Sequence, residues 1–153
     1  MKFFALALVA SACAHGPAPL PTLELEASGG GTGRVAAGRP QAIAFLATYC
    51  LPCIAQLPAL GKLAKDYRGR VEVVGVYFDV EGDLTVQPFL ERYHPPFPSL
   101  LAGDDVAIGA SPFGKISELP ATLFLDRDGR PVASVSGVAS LETLEAGAQA
   151  ALR

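Results

Sequence analysis

The sequence predicts an α/β domain with a central mixed β-sheet and helices on both faces. Three observations carry this. "QAIAFLA" (Gln41 to Ala47) and "RVEVVGVYFDV" (Arg70 to Val80) are almost continuously apolar, as strands covered on both faces must be. Between them, Leu57, Leu60, Leu63, Ala64 and Tyr67 recur at helical spacing, which makes a β-α-β unit. Near the end, "ATLFLDRDGRPVASVSG" reads as two strands joined at Asp126-Arg127-Asp128-Gly129 and feeds a closing helix, a β-β-α unit. The two units combine into one mixed sheet.

The elements follow in order. "TLELE" alternates apolar and polar residues and suggests a first, half-buried strand. "ASGGGTGRVAAGRP" is glycine-rich; it lacks the GK[ST] ending and the strand–loop–helix setting of a phosphate loop, and reads as a loop or irregular hairpin. The first buried strand leads into a helix from about Cys50 to Arg68, with Pro58 inside it expected to kink it. "DLTVQPFLERYH" makes a short helix stopped by "PPFPS", and "DDVAIGASPFG" a short helix or turn. The closing helix has Ser140 as N-cap and Glu142 and Glu145 near its positive end.

With 153 residues, the chain fits one domain with a sizeable core. Half the residues are hydrophobic and 18% are charged, which excludes a disordered polyelectrolyte. A net charge of −3 without a Lys/Arg cluster offers no footing for nucleic acid.

The first residues read as an export signal. "MKFFALALVASAC" has Lys2, then the apolar run Phe3 to Ala10, too short to span a bilayer (about 20 residues) and the size of a signal-peptide core. Ala10-Ser11-Ala12-Cys13 resembles the lipobox of bacterial lipoproteins, which implies cleavage before Cys13 and its diacylation; an ordinary signal peptide cut near Ala12 or Ala14 is the alternative. Residues 1–12 are then the signal peptide, 13–22 a Pro/Gly-rich tether and 23–153 the domain. Two acyl chains hold a protein firmly where one does not. Lipidation of Cys13 also resolves the odd cysteine count, leaving one pair.

That pair, Cys50 and Cys53 in "ATYCLPCIAQLP", sits where a buried strand gives way to a helix. Free N–H groups and the macrodipole stabilise a thiolate there. The i, i+3 spacing puts both sulfurs on one face within bridging reach. Pro52 stiffens the first turn. Cys50 is therefore expected to be the exposed nucleophile and Cys53 the buried resolving thiol of a disulfide exchange.

"AFLATYCLPCIAQLPAL" and "ELPATLFLDRDGRPVASVSG" together resemble, in order and spacing, two motifs of TlpA/ResA-type thiol–disulfide oxidoreductases of the thioredoxin fold, from about Leu23 to the C-terminus. The resemblance implies a thioredoxin-like fold and an exported, membrane-tethered reductant of other proteins' disulfides without a cofactor, a monomer. Its partners would be exported cysteine proteins such as apocytochrome c and a membrane redox protein. It aligns Pro120 with the family's cis-proline facing the cysteines, and Leu119 with the residue whose backbone receives the substrate chain.

The departures matter. The family's two tryptophans are Leu46 and Tyr49 here, so Tyr49 keeps part of the aromatic wall. Gln56 stands where the family carries a glutamate, and Ala44 where thioredoxins carry an aspartate. A carboxylate at either place would shuttle a proton to the buried thiol; Gln56 hydrogen-bonds but does not titrate, which implies slower resolution or a water-mediated route.

Competing chemistries fit less well. A metal site needs three or four ligands; Cys50, Cys53, His15 in the tether and His94 before a double proline are the donors, so copper delivery is a weaker reading and no metal is assigned. A binding module with a vestigial dithiol is the non-enzymatic competitor. A peroxide-reducing Pro-x-x-x-Thr-x-x-Cys pattern fails, with Ile43 and Ala47 at its proline and threonine. "DRDG" has too few ligands for calcium. Asp79 and Glu81, just past the second buried strand, read as a solvated strand end, and His94 as a solvated loop histidine.

Overall fold

The computed structural model describes residues 17–36 and 38–153; the leader, Cys13 and His15 lie outside the described residues. Strands β1 (Leu23–Glu26) and β2 (Thr32–Val35) pair antiparallel as a hairpin. They are followed by β3 (Gln41–Leu46), α1 (Leu51–Asp66), β4 (Glu72–Tyr77), α2 (Asp83–Tyr93), β5 (Ser99–Leu101), α3 (Asp104–Ala107), β6 (Ala121–Leu125), β7 (Pro131–Ser136) and α4 (Leu141–Ala151). The main sheet has the order β5-β4-β3-β6-β7: β3, β4 and β5 run parallel, and β6 and β7 antiparallel to their neighbours.

Every residue of β3 is buried, because both faces of this central strand are covered. Ala42, Ala44 and Leu46 face a core shared with α1, α2 and α4, while Ile43 and Phe45 face a second core. Helices do lie on both faces, but unequally. The three long ones share one side; for α1 and α2, the crossovers between parallel strands, this follows from successive connections of one hand. On the other side the four-residue α3 is joined by the β1–β2 hairpin, through Leu25, Val35 and Val106. An antiparallel bridge from Ala27 to Leu100 ties that hairpin to β5.

The glycine-rich region takes the hairpin alternative and contributes β2, paired with β1. One strand departs from expectation: the segment after the double proline contributes β5 instead of only stopping a helix. Both owe their extended form to partners. Gly33 of β2 leaves the space into which the Leu100 side chain packs. Residues of β5 pair with Gly75, Val76 and Tyr77 of β4.

Helix α1 begins after Cys50 and continues through Pro58 to Asp66. Gly147 lets α4 lie directly on the Phe124 ring, where any Cβ would collide with the ring carbons. The cap of α4 is as expected: Ser140 Oγ accepts from Thr143 N–H at 3.2 Å. Residues 17–22 lie along the β6–β7 turn, with Leu20 N–H donating to Gly129 O at 2.8 Å. No helix among the described residues is long and apolar enough to cross a membrane.

Candidate active site

The loops at the C-terminal ends of β3 and β4 form one end of the molecule. The register puts Phe45 beside Ala121 and Ala121 beside Ser136, so the segments entering β6 and leaving β7 are at the same end. Cys50 is the N-cap of α1, with extended backbone (φ −94°, ψ 103°), and its Sγ accepts from Cys53 N–H at 3.2 Å. The sulfurs of Cys50 and Cys53 are bonded, with Cα atoms 5.2 Å apart. Cys50 is half-buried, whereas Cys53, one turn into the helix, is 1% exposed. A molecule from outside can therefore reach only the first sulfur directly, and the second only through it. The helix N-terminus favours charge on that first sulfur once it is reduced.

Opposite Cys50 stands the segment entering β6. The Leu119–Pro120 peptide is cis, and the Leu119 carbonyl oxygen lies 3.7 Å from Cys50 Sγ. Pro120 is buried, and its carbonyl accepts from Gly137 N–H at 2.8 Å, which ties the segment to the loop after β7. Tyr49 (71% exposed) and Leu51 (77% exposed) flank the dithiol, and Val138 adds a third open apolar side chain from the loop before α4. Pro52, at the second helical position, is exposed.

Gln56 lies one turn beyond Cys53 on the buried side of α1, 1% exposed. Its Nε2 donates to Ala139 O at 3.0 Å, and its Oε1 accepts from Ala139 N–H at 2.6 Å. Both polar ends of the amide are thus spent on the backbone of the loop before α4. Here the glutamine joins helix to loop, and a group that neither gains nor loses a proton fills the place.

Asp79 departs from the sequence expectation. It is 8% exposed, not a solvated strand end. Its carboxylate accepts from Thr48 N–H at 3.0 Å, from the Thr48 hydroxyl, and from the Thr85 hydroxyl at 3.2 Å. The burial is tolerated because three donors surround the charge. Asp79 thereby joins the turn preceding Cys50 to α2. Sequence reasoning missed this group, although a signal exists. Leu46 pairs with Tyr77, so in a parallel ladder Thr48 and Asp79, two residues further on, stand side by side. Glu81 is exposed, as expected.

His94 caps α2 in the left-handed region (φ 45°) and is exposed. Among the described residues, no three His, Cys, Asp or Glu side chains gather where they could hold a metal ion.

No family model matches the chain. Over 102 residues it is 30% identical to the thiol-disulfide oxidoreductase ResA of Bacillus thuringiensis (strain Al Hakam), covering 66% of this chain and 57% of that protein. Over that stretch the chain is similar to ResA. It is also 33% identical over 96 residues to the thioredoxin-like protein YneN of Bacillus subtilis (strain 168), covering 61% of this chain and 54% of that one. The chain thus spans little more than half the length of these ResA-like relatives. A solved thiol:disulfide interchange protein of the thioredoxin family from Chlorobium tepidum TLS superposes with a TM-score of 0.73 over 91% of this chain and 99% of that one, at 20% identity. That likeness establishes the thioredoxin-like fold and agrees with the strand order described above.

Proposed function

We propose that the chain is a protein thiol–disulfide oxidoreductase working through Cys50 and Cys53, with exported cysteine-bearing proteins as substrates. One observation carries the reading. A half-buried sulfur sits at a helix N-terminus beside the Leu119 carbonyl, with its partner sulfur shielded one turn away. In the reducing direction, the Cys50 thiolate attacks a substrate disulfide, forming a mixed disulfide and releasing one substrate thiolate. Cys53, on losing its proton, attacks Cys50 Sγ and releases the second substrate thiolate. Two electrons pass to the substrate, and the protein is left with the bonded pair. The Leu119 backbone, half-buried beside Cys50, is suited to pair with an extended substrate segment.

We assign the reducing direction, with substrates such as apocytochrome c and a membrane redox protein that restores the dithiol, and a membrane anchor through acylated Cys13. Trapping tests the exchange: Cys53→Ser should accumulate mixed disulfides that Cys50→Ser does not form, and a Cys53→Ser protein that captures nothing would overturn it. A reduction potential near about −270 mV fits a reductant, and one near about −120 mV an oxidant. Release of the protein from membranes by Cys13→Ala tests the anchor; unchanged fractionation would refute it. One observation favours a second reading, a binding module with an idle dithiol: Gln56 leaves the buried thiol without an adjoining acid. In that case Cys50 would stay inert toward alkylating agents at neutral pH in the reduced protein.

A further inference from the structure

Charge is divided between the two ends of this fold. At the end away from the dithiol, Arg39 precedes β3, Arg68 and Arg70 precede β4, and Arg127 and Arg130 lie in the β6–β7 turn. Because Gln41 pairs with both Glu72 and Leu125, these five side chains lie across the same edge of the three central strands. Arg39, Arg68 and Arg70 line one shallow cleft there with Pro40 and Pro98. Carboxylates at this end are fewer and partly engaged. Glu72 pairs with Arg39 at 3.5 Å, and Asp126 Oδ1 accepts the N–H groups of Asp128 and Arg130. Asp128 is exposed. Arg68, Arg70, Arg127 and Arg130 form no ion pair among the described residues.

The dithiol end has the opposite character. Glu81 follows β4, Asp104 and Asp105 follow β5, Glu118 precedes β6 and Glu142 opens α4; all five are exposed, with Lys115 the one base on those loops. An anionic surface therefore attracts one end of the protein and repels the other.

The N-terminal segment enters the fold at the basic end. Leu20 N–H bonds to Gly129 O, and Arg130 Nη1 donates to Pro17 O at 3.3 Å. Cys13 is four residues before Pro17, so a fully extended chain separates them by at most about 14 Å. Attachment at Cys13 would keep Arg130 and the turn that carries it within about two screening lengths (about 8–10 Å each) of the lipid headgroups.

We propose that this arginine-bearing end docks on the anionic phospholipid surface to which the N-terminal segment tethers the chain, so that Cys50 and Cys53 face the aqueous compartment. The proposal rests on the membrane-anchoring reading above and adds the face that meets the lipid. A strand of six residues spans about 20 Å, so the dithiol stands at least that far above the headgroups.

The test uses the full chain extracted from membranes and reconstituted on vesicles of phosphatidylcholine, with or without phosphatidylglycerol, carrying a headgroup quencher. One fluorescent label is placed on Cys50 in Cys53→Ser, another on Asp128→Cys in Cys50→Ser/Cys53→Ser. With phosphatidylglycerol at low salt, the label at 128 should be quenched several-fold more than the label at 50. That ratio should fall to its phosphatidylcholine value in high salt or in Arg68→Glu/Arg127→Glu/Arg130→Glu. Each arginine near an anionic surface strengthens association about fivefold, so losing three of them alone weakens the preference for phosphatidylglycerol on the order of 100-fold, and the three added carboxylates weaken it further. A ratio that is the same in both lipids overturns the docking and leaves the anchor intact. If the chain does not float with phosphatidylcholine vesicles, the anchoring reading fails instead. Docking is then decided by the unlabelled chain: salt-sensitive sedimentation with phosphatidylglycerol vesicles that the triple variant lacks supports it, and no sedimentation overturns it.

Discussion

The side chain of Gln56 closes a two-bond ring with the backbone of Ala139, 83 residues away in sequence, donating through Nε2 and accepting through Oε1. Removing it with Gln56→Ala leaves a buried N–H and a buried carbonyl unpaired, each costing about 1–3 kcal/mol. A loss of about 2–4 kcal/mol in urea unfolding is expected. Gln56→Glu should behave differently. Only a protonated carboxyl can both donate to the Ala139 carbonyl and accept from its N–H, so burial in that ring raises the folded-state pKa above the usual carboxylate value of about 4.3. The variant should match the parent in acid and lose stability as pH rises above that value, a dependence that the parent protein lacks at this position.

Asp79 holds the turn before the dithiol through Thr48 and α2 through Thr85. Asp79→Ala should lower stability by about 2–4 kcal/mol, the range expected when a buried charged acceptor with several donors is removed. It should also slow disulfide exchange several-fold, because the Thr48–Tyr49 turn no longer fixes Cys50. Asp79→Asn keeps an acceptor for Thr48 N–H and should recover most of the rate. An Ala variant with unchanged exchange kinetics would show that the carboxylate is only a structural tie.

Tyr77 reports on the sheet from inside. Burial pushes its phenol up to about 12 against the opposing pull of the neighbouring Ser99 side chain, and its hydroxyl makes no hydrogen bond of ordinary geometry among the described residues. Below pH 10 the phenol is protonated in both folded and unfolded chains, so its full contribution is present. From pH 10 upward the unfolded chain ionises first, and about 2–3 kcal/mol of stability is lost by pH 12. Tyr77→Phe should abolish this alkaline step. At pH 7 it should cost little, since it removes an unpaired buried hydroxyl. Unfolding free energies at pH 7 and pH 11 for both proteins decide the matter.

Gly147→Ala sets two rules against each other. Alanine is favoured over glycine in a helix by about 1 kcal/mol. At this position the new methyl meets the Phe124 ring, and overpacking of that kind costs about 1–3 kcal/mol. A net loss of stability is expected, with α4 pushed off the sheet. A rise in the urea midpoint would mean that the helix shifts without strain.

The elements legible in the sequence are those whose signal is local. β3 and β4 are apolar throughout, the β6–β7 turn carries Asp-Gly, and the Ser140 cap precedes a periodic run, so each can be recognised without knowing its neighbours. β2 and β5 are strands because of what they touch. Gly33 admits Leu100, and Leu100 in turn sits against Val76, contacts that no short window contains. The site divides in the same way. The two cysteines at a helix start are visible in a few residues. The Asp79–Thr48 tie follows only once the register of β3 on β4 is known, and the partner of Gln56 belongs to the last loop of the chain.

That last contact has a consequence for the order in which the protein is completed. The wall behind Cys53 is closed by Ala139 and by α4, and the cis segment facing Cys50 is held through Gly137. A chain emerging N-terminus first therefore shows both cysteines some eighty residues before the parts that shield one and aim the other. During that interval the pair is an ordinary exposed dithiol, open to any oxidant or stray disulfide. Only arrival of the final helix separates an accessible sulfur from a protected one.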